Sequence, residues 1–144
     1  MSKMKLVFRP AEDKGFVEQL TRRNMAAYYA RLGIDWDCSL FDKNWNEFES
    51  YELAVNGCAV GVLRLSHDDR AYYIRDLQLE QAWQRQGLGS QAIGYAAEVA
   101  RRSGIRLLRL RVFSMNPATA LYERLGFRIC KTEGGTHSME RELY

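Results

Sequence analysis

Close pairs of cysteine or histidine are missing from this 144-residue chain. Cys38, Cys58 and Cys130 stand far apart, and neither His67 nor His137 has a metal-ligating neighbour at close spacing. No disulfide framework and no metal site are expected. The three cysteines read instead as reduced core residues of a cytoplasmic protein. Long apolar runs are missing too: none approaches the roughly 18 residues of a membrane span. The opening "MSKMKLVFRPAEDKG" meets charge too early for a secretory h-region. A soluble chain without a membrane partner or signal peptide is expected. Charge of one sign is scarce, with a formal net charge of +3. Such an excess suits an anionic ligand but does not by itself indicate nucleic acid. Repeats, linkers and low-complexity tracts are absent, so residues 1–144 read as one domain around one core.

Periodicity and turn chemistry divide what is present. "KLVFRPA" reads as a short strand ended by Pro10. From about Glu12 to Leu32 the period is helical, with Phe16, Leu20, Tyr28 and Leu32 on or near one face and Gly33 as the stop. "IDWDCSLFDKNWNEFES" is irregular or briefly helical, and its Trp36, Phe41, Trp45 and Phe48 suggest a wall packed on the domain. "YELAV" and "CAVGVLRLS" flank Asn56-Gly57, the strongest short hairpin signal. "HDDR" makes the next turn and "AYYIRDLQL" the next strand; later come the strand "RLLRLRVF", the short helix "ATALYERL" closed by Gly126, and a strand pair about "EGGT". Strands and helices in this order give a mixed α/β (α+β) fold, not a repeated βαβ unit.

"WQRQGLGSQAIGYAAEVARRSG" holds the clearest chemical signal. Gly87 and Gly89 free the backbone from Cβ restrictions just before a helix with a stripe of Leu88, Ala92, Tyr95 and Val99, widened by Ile93, Ala96, Ala97 and Ala100. Arg101, Arg102 and Gly104 end that helix as its dipole and C-cap prefer. Its free N-terminal amides then face a glycine-lined space, which is an anion site, most often for phosphate.

These residues resemble the GNAT superfamily of N-acetyltransferases. The likeness rests on Gln84-Arg85-Gln86-Gly87-Leu88-Gly89 opening a helix, and on a later run of Asn116, Pro117, Ala120, Leu121, Tyr122, Glu123 and Gly126-Phe127. The resemblance implies a GNAT-like fold: a mixed, mostly antiparallel central sheet, splayed between its two middle strands and flanked by about four helices. It implies acetyl-coenzyme A as cofactor, its pyrophosphate on backbone amides of Gln84, Arg85, Gln86, Gly87, Leu88, Gly89 and Ser90. Pantetheine would pair with the backbone of Leu77, Gln78 and Leu79, the amide of Leu79 facing the oxyanion, and Asn116 would bond the cofactor arm. The implied reaction is direct attack of an amine on the thioester, through a tetrahedral intermediate, with Tyr122 as general acid. The general base is less defined. Arg111 stands where relatives sometimes carry a carboxylate, which leaves Asp76 or Glu52, acting through water.

The acceptor is expected to be a primary amine on a small molecule or polypeptide. Asn24, Tyr28, Trp36 and Trp45 are candidates for its wall. Arg64, Arg75 and Arg111 are unusual on sheet strands, since each needs an anion or water. Either they pair with Glu52, Asp76 and other carboxylates, or Arg75 with Arg111 holds a carboxylate of the acceptor. The oligomeric state is open, a homodimer included. Two rival readings exist. Gly87-Leu88-Gly89-Ser90-Gln91-Ala92 also fits the NAD(P) dinucleotide pattern, but "EQAWQRQ" separates it from its strand and no acidic residue follows about twenty positions on. A nucleic-acid module on Arg101, Arg102, Arg106, Arg109 and Arg111 lacks the interleaved aromatics that stack bases.

Overall fold

In the computed structural model, which describes residues 5–144, seven strands form one sheet. They are β1 (Leu6–Pro10), β2 (Glu49–Val55), β3 (Cys58–His67), β4 (Ala71–Leu79), β5 (Leu107–Phe113), β6 (Arg128–Glu133) and β7 (Thr136–Glu142). Four α-helices accompany them: α1 (Lys14–Leu32), α2 (Cys38–Glu47), α3 (Leu88–Arg102) and α4 (Ala118–Arg124). Met1 to Met4, the start of the stretch read against a secretory leader, lie outside the described residues. The strand order is β1-β2-β3-β4-β5-β7-β6. Every neighbouring pair is antiparallel except β4 and β5. A sheet with one parallel pair is mixed, as expected, and has no place for the repeated crossovers of a dinucleotide fold.

Local chemistry accounts for the helix ends. Asp13 accepts from Phe16 N and opens α1, and Gly33 closes it with φ 67°. Asp37 accepts from Leu40 N and opens α2, so the aromatic segment is more helical than its sequence suggested. The buried stripe of α1 is Val17, Leu20 and Thr21, with Phe16 half-buried; Tyr28 and Leu32 are not part of it.

Two clusters of buried side chains lie on opposite faces of the sheet. α3 covers one face, where Leu88, Ile93 and Ala96 pack on Leu63, Leu65, Leu108 and Met139. α1 and α2 cover the other, where Val17, Leu20 and Phe41 meet Val62. Strand alternation places Arg64 on the same face as Val62, beneath α1 and α2. The cysteines depart from expectation: Cys38, Cys58 and Cys130 are all exposed free thiols. Cys38 is the first residue of α2, Cys58 follows the hairpin turn, and Cys130 lies on the outermost strand.

β3 passes unusually close to the end of β4. A Cβ on Gly61 would lie 2.6 Å from Gln78 O and 2.7 Å from Leu79 Cδ2. Gly94, on α3, has nothing within 4 Å of that position. Gly61→Ala is therefore expected to cost about 1–3 kcal/mol through overpacking, lowering Tm by at least about 2 °C. Gly94→Ala is expected to raise Tm, because alanine is the better helix former. Thermal unfolding of both variants checks the contrast; equal shifts would contradict it.

Candidate active site

β4 and β5 run together only from Ala71↔Leu107 to Ile74↔Leu110, and beyond that point they part. β4 continues to pair with β3, from Arg64↔Asp76 to Gly61↔Leu79, after a register shift at Arg64/Leu65. Glu80 N donates to Val60 O at 2.8 Å. Antiparallel bonding alternates, so the N–H and C=O groups of Leu77 and Leu79 turn away from β3 and into the gap. The carbonyl of Leu79 is already held, by Asn24 Nδ2 at 2.9 Å and Gln84 Nε2 at 3.1 Å. The amide of Leu79 and both backbone groups of Leu77 remain to meet an extended ligand.

The N-terminus of α3 opens at the same end of the sheet. Gly87 adopts φ 83°, a left-handed conformation, and Gln91 N to Gly87 O is the first bond of the helix. Among the described residues, the backbone amides from Arg85 to Ser90 have no hydrogen-bond partner, and no side chain caps the helix. Gln84 is excluded from that set, because its amide donates to Gln81 O at 3.3 Å. A Cβ on Gly87 would meet nothing within 4 Å, so open space adjoins these donors. Six free amides and no acidic residue in the first turn suit a pyrophosphate. The side chain of Leu88 is fully buried, so only its amide is available.

On the α1–α2 face, a pocket of about 690 Å³ adjoins the gap. Tyr122, Asp76, Asn116, Arg64, Arg75 and Arg111 are among its lining residues. Asn116 Oδ1 accepts from Ala118 N at 2.9 Å and so starts α4, leaving its Nδ2 donors for a ligand. Tyr122 follows one helical turn later and packs edge-on against Phe127, with ring centroids 5.9 Å apart. Its phenol is pushed up to about 12 by burial and then by the charge of Asp76. Gln78 Nε2 donates to Asp76 Oδ1 at 2.8 Å, and Arg64 Nη1 is 3.7 Å from Asp76 Oδ2. Burial nevertheless outweighs these partners and raises the Asp76 carboxyl above its ordinary value. The hydroxyl of Thr21 lies 2.8 Å from Val17 O and 3.2 Å from Asp76 Oδ2, with one proton to give.

Other sequence candidates fall elsewhere. Tyr28 does not line the pocket; it packs on Phe113 at 5.8 Å, and its neighbour Tyr29 lines the pocket instead. One residue on a helix is a turn of about 100°. Trp36 lines the pocket and donates to Glu18 Oε2 at 2.9 Å, whereas Trp45 packs on Phe41 in the core. Glu52 pairs with Arg9 on β1, away from the pocket, which leaves Asp76 as the internal carboxylate. His137 contacts Thr132 on β6. Thr21 and Tyr29 were missed because each depends on which strand residue α1 lies over; Gln78 is the same-face i+2 neighbour of Asp76 on β4, a spacing the sequence offered. In the basic cluster Arg101 and Arg102 share Glu98 and Arg109 pairs with Glu140 at 2.7 Å, while Arg106 and Arg111 have no salt bridge among the described residues.

Comparison with known proteins places this geometry among relatives. The model of the acetyltransferase (GNAT) family matches residues 13–127. A thialysine N-epsilon-acetyltransferase of Sus scrofa is 36% identical over 74 residues, covering 51% of this chain and 44% of that protein. The chain spans about half the length of the curated relatives it matches. The PaiA N-acetyltransferase of Thermoplasma acidophilum, solved with coenzyme A, superposes with a TM-score of 0.78 at 17% identity, covering 96% of this chain and 99% of that one. A GNAT family acetyltransferase of Elizabethkingia anophelis, solved with acetyl-CoA bound, gives 0.75 at 19% identity, covering 95% and 97%.

The burial of Asp76 has a measurable consequence. A carboxyl raised above 3.8 holds its proton more tightly folded than unfolded. Its contribution favours folding below the unfolded value and is lost as pH rises through the native one. Wild-type protein is therefore expected to lose stability relative to Asp76→Asn as pH climbs from about 4 toward neutrality. Parallel stability curves from chemical denaturation would show that Asp76 is not raised.

Proposed function

The chain belongs to the acetyltransferase (GNAT) family, and we propose that residues 1–144 act as one acetyl-coenzyme A-dependent N-acetyltransferase domain with a primary amine as acceptor. One observation supports this reading: Leu77, Asn116 and Tyr122 line one pocket beside the parted strands, and the unpaired amides from Arg85 to Ser90 open α3 next to α4, where a Cβ on Gly89 would lie 3.4 Å from Leu121 Cδ2. Acetyl-coenzyme A, when bound, supplies the thioester that the amine attacks. The amides from Arg85 to Ser90 hold its pyrophosphate, Leu77 pairs with the amides of its arm, and Asn116 Nδ2 steadies that arm. The Leu79 amide is a preorganised donor for the negative charge that develops on the carbonyl oxygen.

Asp76 is the base of this reading. A carboxylate moved upward by burial accepts a proton near neutral pH more readily than an exposed one. Tyr122 is the acid. A phenol at about 12 is fully protonated at neutral pH, but complete transfer to a thiolate with a pKa of roughly 8.5 is uphill by about 5 kcal/mol. Tyr122 would therefore donate a hydrogen bond to the sulfur as the C–S bond breaks, the amine's proton would pass to Asp76, and coenzyme A would leave as a thiolate that is protonated from solvent. Three exposed free thiols suit a reducing compartment, and the proposed location is the cytoplasm.

Acetyl-coenzyme A at ~100 times its Kd is expected to stabilise the protein by about 2.7 kcal/mol, a Tm increase of about 5 °C or more. A Cβ on Gly89 would lie 3.4 Å from Leu121 Cδ2, and Gly89→Asp adds like charge there, so the variant should lose the shift. A wild type indifferent to acetyl-coenzyme A would refute the proposal. Tyr122→Phe is expected to lower turnover by ~10²-fold or more with little change in coenzyme A affinity; unchanged turnover would remove the hydroxyl from the mechanism.

A further inference from the structure

Two arginines stand at the point where the sheet opens. Ile74↔Leu110 is the last pair of β4 and β5, and Arg75 and Arg111 are the next residue of each strand. Both side chains are exposed and line the pocket on the α1–α2 face, away from α3. Like charges on neighbouring strands repel, so this placement calls for an anion or water. The other two arginines of the face already have carboxylates. Arg109 pairs with Glu140 and donates to Tyr73 Oη at 3.2 Å. Arg64 is directed to Asp76, and its Nε and Nη2, without a partner, are sealed under Phe41 and Phe48 from any ligand. Arg75 and Arg111 have no salt bridge among the described residues, and Ser138, opposite Arg111 on β7, brings no charge. Arg75 is nonetheless fixed. Its Nε donates to Ser66 Oγ at 2.7 Å, and its guanidinium carbon lies 4.4 Å from the Tyr73 ring centre and 5.7 Å from that of Phe48. Both of its Nη groups remain without a partner, on a guanidinium already held in place.

We propose that Arg75 and Arg111 together receive a carboxylate of the acceptor, which makes the acceptor a carboxylate-bearing amine. This rests on the acetyltransferase reading and names its substrate class. The Nη edge of Arg75 offers two N–H groups at the spacing of carboxylate oxygens, and Arg111 adds a second cation across the parting. Holding the fork beforehand, through Ser66 and Tyr73, lowers the ordering cost of the contact. Asp35 and Asp37 also line the pocket, from the connection between α1 and α2, where Asp37 is engaged as the cap of α2. Asp76, the base of the reading, follows Arg75 directly on β4. An ionised Asp76 repels the acceptor's carboxylate and attracts its ammonium, while the two arginines do the reverse. Charge thus sorts the two ends of the acceptor and supplies the orientation that amine attack requires.

The test compares matched amines by thiol release from acetyl-coenzyme A: free amino acids including lysine, their carboxamides, the diamine cadaverine, and phosphoethanolamine. Wild type is expected to prefer each carboxylate over its carboxamide by about 10-fold or more in kcat/KM, the scale of one charge-assisted contact. In the double variant Arg75→Gln, Arg111→Gln that ratio should fall toward unity while the Tm response to acetyl-coenzyme A persists. Arg111→Gln alone, at an exposed position without a salt bridge, repeats the test should the double variant fold poorly, and the ratio should fall in it too. Equal use of carboxylates and carboxamides, preference for phosphoethanolamine or cadaverine, or a ratio that survives in both variants would overturn the anchor. None of those outcomes touches the acetyltransferase reading, which the Tm response to acetyl-coenzyme A tests by itself. If no amine releases thiol, calorimetric titration with N-acetyl amino acids decides the anchor. Binding to wild type that is lost in the variants supports it; equal binding to all, or none to wild type, rejects it.

Discussion

Everything functional in this molecule depends on two strands failing to stay together. β4 and β5 share four residue pairs and then separate, although both continue for several residues. A sheet normally satisfies its backbone by pairing, so a parting inside one leaves polar groups that need other partners. The chain answers this unevenly. Asn24 reaches from α1 and Gln84 from the following turn to the carbonyl of Leu79. Nothing in the described chain does the same for Leu77 on its open side. The gap is thus closed at its end and open along its middle, which is the form of a slot for an extended chain that carries its own amides.

Electrostatics on the α1–α2 side follow from how little water reaches it. Arg64 and Asp76 face each other across adjacent strands, yet burial lowers the proton affinity of the arginine and raises that of the aspartate. Each ion is held less firmly as an ion than it would be at the surface. A buried pair of this kind is weak evidence for added stability, because desolvation offsets much of the attraction. Two phenols, Tyr29 and Tyr122, are shifted upward by burial and by the same aspartate. One carboxylate thereby influences groups on α1, β3 and α4.

The parts legible in the sequence were those written in local chemistry. The Asn56-Gly57 hairpin, the Gly87–Gly89 turn with its amphipathic helix, and the short helix bearing Asn116 and Tyr122 depend on near neighbours in the chain. Their ranges were close to those observed. What escaped notice depends on what lies across the sheet. The exposure of the three cysteines follows from positions at element ends and on an outer strand, while their residue type suggested a core. Tyr28 and Tyr29 differ by one step on a helix whose orientation only packing decides. Arg64 was visible as a strand arginine, but its neighbours Phe41 and Phe48 come from another element, so its unpartnered edge was not. Glu52 looked as eligible as Asp76 until the pairing of β1 with β2 gave it Arg9.

The outer border of the sheet has a different bearing, on self-association. β6 is exposed along its whole length and carries Arg128, Lys131 and Glu133. Its pairing with β7 slips between Ile129 and Lys131, which leaves Cys130 out of register. A second sheet approaching edge to edge would meet long charged side chains and a broken row of donors and acceptors. At the far border, β1 ends in Pro10, which has no N–H to offer. Both margins thus resist templated strand addition, the usual route from an open sheet to fibrous aggregates. A sheet that keeps an unpaired slot in its middle has good reason to keep its edges unattractive.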